Sequence, residues 1–379
     1  MPFQNSAEDT GTEGSSQPLR VVIVAPRIQH LIGGQEVQAD LLLRLWRNDP
    51  DVDASYLASN PELPQWLESI RYLRTLARFP LYLAHLTIGL RNTDVIHIFS
   101  TSFSGFLISV VPAYCVARLL GKKILINYRS GLARSHLNAS SFARNILRNA
   151  DKVLTPSSYL VGVFSEFQIK AEAIPNVIDM KIFSYRSRSP LRPILLCSRN
   201  LEECYGIDLV LRAFAAIQEP FREARLFLLG EGSEENAIRH LIADLNLKNI
   251  EMPGRISRDR IGEFYDKADI LINASRVDNM PVSILEAFAS GLPVVSSNSG
   301  GIPAIVCHED SGLLSDTEDW RQLAANAVRL LEDPALAQRL TENAYRQSLI
   351  YHWEAVRDQW LRVYRDLAEQ SPRKDSASG

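Results

Sequence analysis

Ile270-Leu271-Ile272-Asn273, Ala274, then Ser275-Arg276-Val277-Asp278-Asn279-Met280-Pro281-Val282-Ser283-Ile284-Leu285-Glu286-Ala287-Phe288-Ala289-Ser290-Gly291-Leu292-Pro293-Val294-Val295 reads as strand, loop, helix and strand in succession. Proline suits the first turn of a helix, so the helix starts near Pro281. A helix that starts at the carboxyl end of a buried strand points its unpaired N–H groups and positive dipole end away from the sheet, where they attract phosphate. Asp278 stands just before that start and Glu286 about two turns in. Both carboxylates suit sugar hydroxyls. The alternative is that Asp278 caps the helix and Glu286 is solvated, and spacing alone does not choose.

The same alternation runs outward in both directions. Apolar runs at Ile194–Cys197, Leu226–Leu229, Ile250–Met252 and Val294–Ser296 are strands, separated by helices over Asp208–Ile217 and Glu234–Leu245. Upstream, Val21–Ala25, Val95–Phe99, Lys123–Asn127 and Lys152–Thr155 are strands, with helices over Val37–Trp46, Phe106–Leu120, Ser140–Asn149 and Ser157–Glu166. Near-continuous apolar strands alternating with helices mean a parallel sheet covered on both faces. Ser184–Pro193, with two prolines, reads as a linker between two such sheets. The fold class is therefore α/β, two doubly wound parallel-sheet domains in series. In such sheets ligands bind beyond the carboxyl ends of the strands, so two of them can share one cleft.

Composition agrees. The 379 residues suit two domains, 46% hydrophobic and 22% charged is an ordinary globular balance, and a net charge of -3 gives no general support for nucleic acid as a partner. Cys115, Cys197, Cys204 and Cys307 are unpaired in spacing and read as reduced, mostly buried thiols. Met1–Pro18 is polar and reads as a disordered tail without a targeting segment, so the expected location is cytoplasmic. The Gly105–Ala117 run is too short to span a bilayer and holds Pro112. Along Leu67–Arg78, Trp66, Ile70, Leu73 and Ala77 share one helical face and Arg71, Arg74 and Arg78 another. This Trp66–Arg78 helix is a candidate peripheral membrane contact; the alternative is a core-facing helix with a solvated basic edge.

The segment around Asp278 and Glu286 resembles the signature of glycosyltransferase family four, retaining enzymes of the GT-B fold with two Rossmann-like domains facing across a cleft. The family pattern is an acidic residue, seven spacers, Glu in a Leu-Glu-Ala context, then Gly-x-Pro-Val-Val; Asp278 replaces the usual Glu. The resemblance covers about Val21 to Leu367. It implies residues 19–185 as acceptor domain, 186–350 as donor domain, and 351–379 as a C-terminal helix, a candidate for packing back on the first domain, with a tail. It implies a nucleotide-diphosphate sugar as donor substrate, no cofactor and no metal, a glycan or lipid-linked acceptor, and catalysis by charge stabilisation of the departing diphosphate.

Residue by residue, Asp278 would contact the donor sugar, Glu286 the ribose, and the backbone of Met280, Pro281, Val282 and Ser283 the diphosphate. Gly33-Gly34 resembles the family's first glycine loop, bare enough for close diphosphate approach, and is not a dinucleotide fingerprint. Arg255-Ile256 would lie against the base. Arg199 resembles the family's diphosphate arginine, but the lysine expected six residues on is Tyr205. A His expected after Ile126 is missing; Arg129, in Asn127-Tyr128-Arg129-Ser130-Gly131, is the candidate replacement, with a surface-loop role as the alternative. Ala304 stands where Glu is typical. Ile174-Pro175-Asn176-Val177-Ile178-Asp179 is a turn read as mainly structural, and His97 as a core or rim histidine. The rival readings are a sugar-nucleotide-binding subunit that has lost turnover, and an epimerase or phosphorylase on the same scaffold.

Overall fold

The computed structural model describes residues 17–27, 34–64 and 71–370, with only the backbone of 71–76. Gly33, most of the N-terminal tail and Trp66 to Ile70 lie outside the described residues, so the reading of the Trp66–Arg78 helix as a membrane contact falls largely outside them.

Two six-stranded parallel sheets carry the fold. The first consists of β1 (Leu19–Ala25), β2 (Val52–Ala58), β3 (Val95–Ser100), β4 (Lys123–Tyr128), β5 (Lys152–Thr155) and β6 (Glu172–Ala173), in the order β2-β1-β3-β4-β5-β6. The second consists of β7 (Ile194–Ser198), β8 (Arg225–Leu229), β9 (Ile250–Gly254), β10 (Ile270–Asn273), β11 (Val294–Ser297) and β12 (Leu313–Ser315), in the order β12-β11-β10-β7-β8-β9. β3, β10 and β11 are buried along their whole length, and β4 along all but its first residue, because helices cover both faces. β2 was not visible as an apolar run because only two of its seven residues, Val52 and Leu57, are buried. In the second sheet the strand order reverses between β7 and β10. The loops after those two strands carry Arg199 and Asp278, so the topology brings together residues far apart in sequence.

One face of the first sheet packs Ile96, Ile98, Ile124 and Ile126 against the helices Arg71–Gly89, Val111–Leu119, Ser141–Asn149 and Ser158–Glu166. The other face packs Val95, Phe99 and Leu125 against the helix Gly34–Trp46 and the last helix, Trp353–Glu369, through Trp360 and Tyr364. The last described helix thus packs on the same domain as the first described strand. His97 lies fully buried between these layers, stacked on Trp360 with ring centroids 5.0 Å apart. Its Nδ1 is 2.8 Å from the Tyr364 hydroxyl and its Nε2 3.0 Å from the Asn127 amide nitrogen. The amide N–H donates, so Nε2 is the acceptor and Nδ1 carries the proton.

Burial, and secondarily the charge of Arg129, push the His97 pKa down to about 3. The unfolded chain therefore takes up a proton near the ordinary histidine value while the folded one does not, and stability falls with acid from about pH 6.5. At pH 5 this one group lowers stability by about 2 kcal/mol relative to pH 7.5. His97→Gln, measured by urea unfolding at both pH values, is expected to remove that part of the acid sensitivity. An unchanged difference between the two pH values would show that His97 is not its source.

Two expectations need correction. Ser184–Pro193 is irregular, but it is no loose linker. Arg188 is buried, and its guanidinium donates to the carbonyls of Tyr265, Ala268, Ser290 and Gly291, which straps the segment to the second domain. Of the four cysteines only Cys197 is buried; Cys115, Cys204 and Cys307 are exposed. A thiol in a surface loop or on the outer face of a helix has no core to join. No helix among the described residues is long and apolar enough to cross a membrane.

Candidate active site

A cavity of about 490 Å³ opens between the carboxyl ends of the two sheets. Every site residue expected from the sequence lines it, apart from Gly33: Gly34, Arg129, Arg199, Tyr205, Arg255, Ile256, Asp278, the Met280–Ser283 turn and Glu286. Sequence positions 34 and 286 meet there because both domains present their post-strand loops to the same gap.

Its floor is made of two helix starts. The helix Val282–Ser290 begins right after Pro281, which sits one position before the first turn rather than within it, and no side chain caps this end. The helix Gly34–Trp46 begins opposite, close enough that a Cβ on Gly34 would lie 3.7 Å from the Val282 side chain. Two positive helix ends therefore converge on one spot.

Asp278 does not cap the helix. Its Oδ1 accepts from its neighbour Asn279 N–H at 2.8 Å, and its Oδ2 pairs with Arg199. The loop holding it is fixed by Gly300, at φ 56°, where a Cβ would fall 1.9 Å from the Asp278 carbonyl oxygen. Only glycine fits there. Arg199 also donates to Ser275 Oγ at 3.3 Å, stacks on the Tyr205 ring at 4.2 Å, and keeps a buried Nε without a partner. Tyr205 thus seats the arginine by a cation–π contact and adds no second charge.

Glu286 is buried, not solvated, and both its oxygens are taken. Oε1 pairs with Arg258 and Oε2 accepts from the Tyr265 hydroxyl at 2.7 Å. Burial alone would lower the Arg258 pKa, but Glu286 outweighs it and the net shift is upward. Arg258 Nε and Nη2, Ser283 Oγ and Asn279 Nδ2 are buried on this wall without partners, a set of donors that a bound ligand could use.

Arg129 is not a surface-loop residue. Its head contacts Asn176 Oδ1, Asn127 Oδ1 at 3.4 Å and the Phe99 ring at 5.2 Å. No carboxylate pairs with it among the described residues, and burial pushes its pKa down to about 9. It remains a cation at neutral pH, with its charge uncompensated. Asn176 in turn donates to the Met280 carbonyl at 2.9 Å, tying the cation to the turn before the Val282 helix. Asn176 therefore belongs to the site rather than to a merely structural turn, and a second tie, Ser157 to Asn279, also joins the domains. Four arginines and four carboxylates line the cavity. Two pairs cancel, while the exposed Arg255 backbone N–H reaches Glu231 at 3.4 Å. The fourth carboxylate, Glu36, stands in the first turn of the Gly34–Trp46 helix and offsets its positive end, so the local positive field comes mainly from Arg129 and the start of the Val282–Ser290 helix. Ala304, where a Glu was expected by resemblance, is exposed and outside the cavity lining.

Sequence reasoning missed Arg258, Tyr265, Asn176, Asn279 and Ser275. Arg258 stands two residues beyond Ile256 in a loop already singled out. Nothing local separates it from Arg255, since its partner Glu286 is met only in the fold.

Residues 183–347 match the family model for glycosyl transferases group 1. The chain is 24% identical over 298 residues to N-acetyl-alpha-D-glucosaminyl L-malate synthase of Bacillus anthracis, covering 73% of this chain and 75% of that one. Among solved structures it is similar to sucrose-phosphate synthase from Thermosynechococcus elongatus, with TM-score 0.75 and 20% identity over 92% of this chain and 99% of the other. It is also similar to Anabaena HepE in complex with UDP-glucose, with TM-score 0.72 and 15% identity over 92% of this chain and 100% of the other. The two facing sheets are thus the GT-B arrangement.

Proposed function

We propose that this chain, a nucleotide-sugar glycosyltransferase whose residues 183–347 belong to the glycosyl transferases group 1 family, transfers its sugar with retention at the anomeric carbon to a hydroxyl of a glycan or lipid-linked acceptor. The observation that carries the reading is the uncapped start of the Val282–Ser290 helix, open to the cavity between Arg129 and Arg199. There the diphosphate sits, against two helix ends and an unpaired cation. The ribose hydroxyls lie against Glu286 and the free N–H groups of Arg258, and the base against Arg255-Ile256. The glycosidic bond to the diphosphate breaks as the acceptor oxygen bonds to the anomeric carbon, and the acceptor proton passes to a diphosphate oxygen. Asp278, released from Arg199 by the phosphate, turns to a sugar hydroxyl.

A thermal-shift screen of nucleoside diphosphates and their sugars tests the reading. At least one is expected to stabilise the protein, and its sugar form to release nucleotide when incubated with hydroxyl acceptors. Stabilisation without release across an acceptor panel would point to a binding subunit without turnover. No stabilisation by any nucleotide would end the transferase reading.

A further inference from the structure

Between Arg71 and Ala150 the sequence holds eleven Lys and Arg and one acidic residue, Asp94, in a chain whose net charge is -3. The helices of this stretch build one layer of the first domain, while β3, β4 and the cavity residue Arg129 lie elsewhere. The Arg71–Gly89 helix packs beside the helical run that ends in Val111–Leu119, and the Tyr82 hydroxyl donates to the Ser109 carbonyl at 2.8 Å. That run in turn meets the end of the Ser141–Asn149 helix, where Arg118 donates to the Asn149 carbonyl. The inner faces of these helices form one core against the sheet, so their outer faces look the same way.

Those outer faces are apolar where solvent should favour polar residues. Phe79, Ile88, Leu107, Ile108, Leu119 and Phe142 are all exposed, Leu119 at 86%. Exposed apolar residues scattered over a surface need no explanation, but a grouping on one layer does. Part of the positive charge in this layer is also uncompensated. Arg118 pairs with Asp151 and Arg134 with Glu166, yet Arg144 and Arg148 donate to the backbone carbonyls of Leu137 and Phe167. A surface that combines protruding Leu, Ile and Phe with cations left over after Asp151 and Glu166 are paired matches the headgroup region of an anionic bilayer on both counts. Nucleic acid would use the charge but not the aliphatic side chains.

We propose that the outer face of the helices Arg71–Gly89, Phe106–Val110, Val111–Leu119 and Ser141–Asn149 is a docking surface for an anionic lipid bilayer. It rests on charge and exposure in the first domain alone and stands independently of the transfer reaction.

The test is co-sedimentation of the full chain with vesicles of phosphatidylcholine alone and of phosphatidylcholine mixed with phosphatidylglycerol. Binding is expected to the mixed vesicles, and to weaken as salt is added. Leu107→Ser with Ile108→Ser, both half-exposed and outside the cavity lining, should reduce binding about tenfold or more. Arg144→Gln with Arg148→Gln should reduce it by about fivefold for each charge removed. Thermal stabilisation by nucleotide should be unchanged in both variants. No binding to the mixed vesicles, equal binding by wild type and both variants, or binding of RNA without binding of vesicles would each overturn the proposal.

Discussion

Glu286→Ala is expected to lose both stability and nucleotide binding. The substitution leaves Arg258 as a mostly buried cation with nothing opposite it, and removing one member of a buried pair costs about 3–5 kcal/mol. The same change strips Tyr265 of its acceptor. Urea unfolding should show the full loss, and stabilisation by nucleotide should vanish. Glu286→Leu combined with Arg258→Met separates the two effects. Replacing the whole pair by apolar groups should restore most of the stability, while nucleotide binding stays absent. If the double variant bound nucleotide as wild type does, the pair would be only structural and the ribose would have to be held elsewhere.

Arg129→Met should behave in the opposite way. Arg129 is a cation held by two amides and a ring, so its burial works against stability. The methionine stem can keep the contact with Phe99. The unliganded variant should therefore unfold at the same or a higher temperature. Its kcat/KM for nucleotide-sugar transfer should drop by about two to three orders of magnitude, as for removal of a preorganised group facing developing charge. Arg129→Lys should recover part of the rate, because a point charge remains although the fork to Asn127 and Asn176 is lost. Loss of stability together with activity would mean that Arg129 is a structural residue.

The different signatures of these two residues mirror what the sequence could and could not disclose. The two sheets were legible because strands buried on both faces leave apolar runs, interrupted at regular intervals and restarted after Pro193. The edge strand β2 escaped because only Val52 and Leu57 of its seven residues are buried; β6 and β12, two and three residues long, are too short to leave a pattern. The site was legible as loops, since residues following parallel strands must face the cleft, which singled out Asp278 and the turn at Pro281, while Arg199 was singled out by its resemblance to the family's diphosphate arginine. Their pairing was not. Arg199 with Asp278, Arg258 with Glu286 and Arg129 with Asn176 are contacts between distant segments, and no local spacing encodes which cation answers which acceptor. The Tyr205 substitution shows the same limit: its sequence position says that a charge is missing, and only the ring beneath Arg199 says what replaces it.

The return of the last described helix to the domain of the first described strand has a mechanical consequence. Two strands of backbone, not one, pass between the halves, and they touch where they cross: the Ile178 N–H donates to the Tyr351 carbonyl at 3.0 Å. A single tether would let one half wander in any direction. Two adjoining tethers act as an axle, which favours a swing about the line near Ile178 and Tyr351 over twisting or sliding, because the latter would strain that bond.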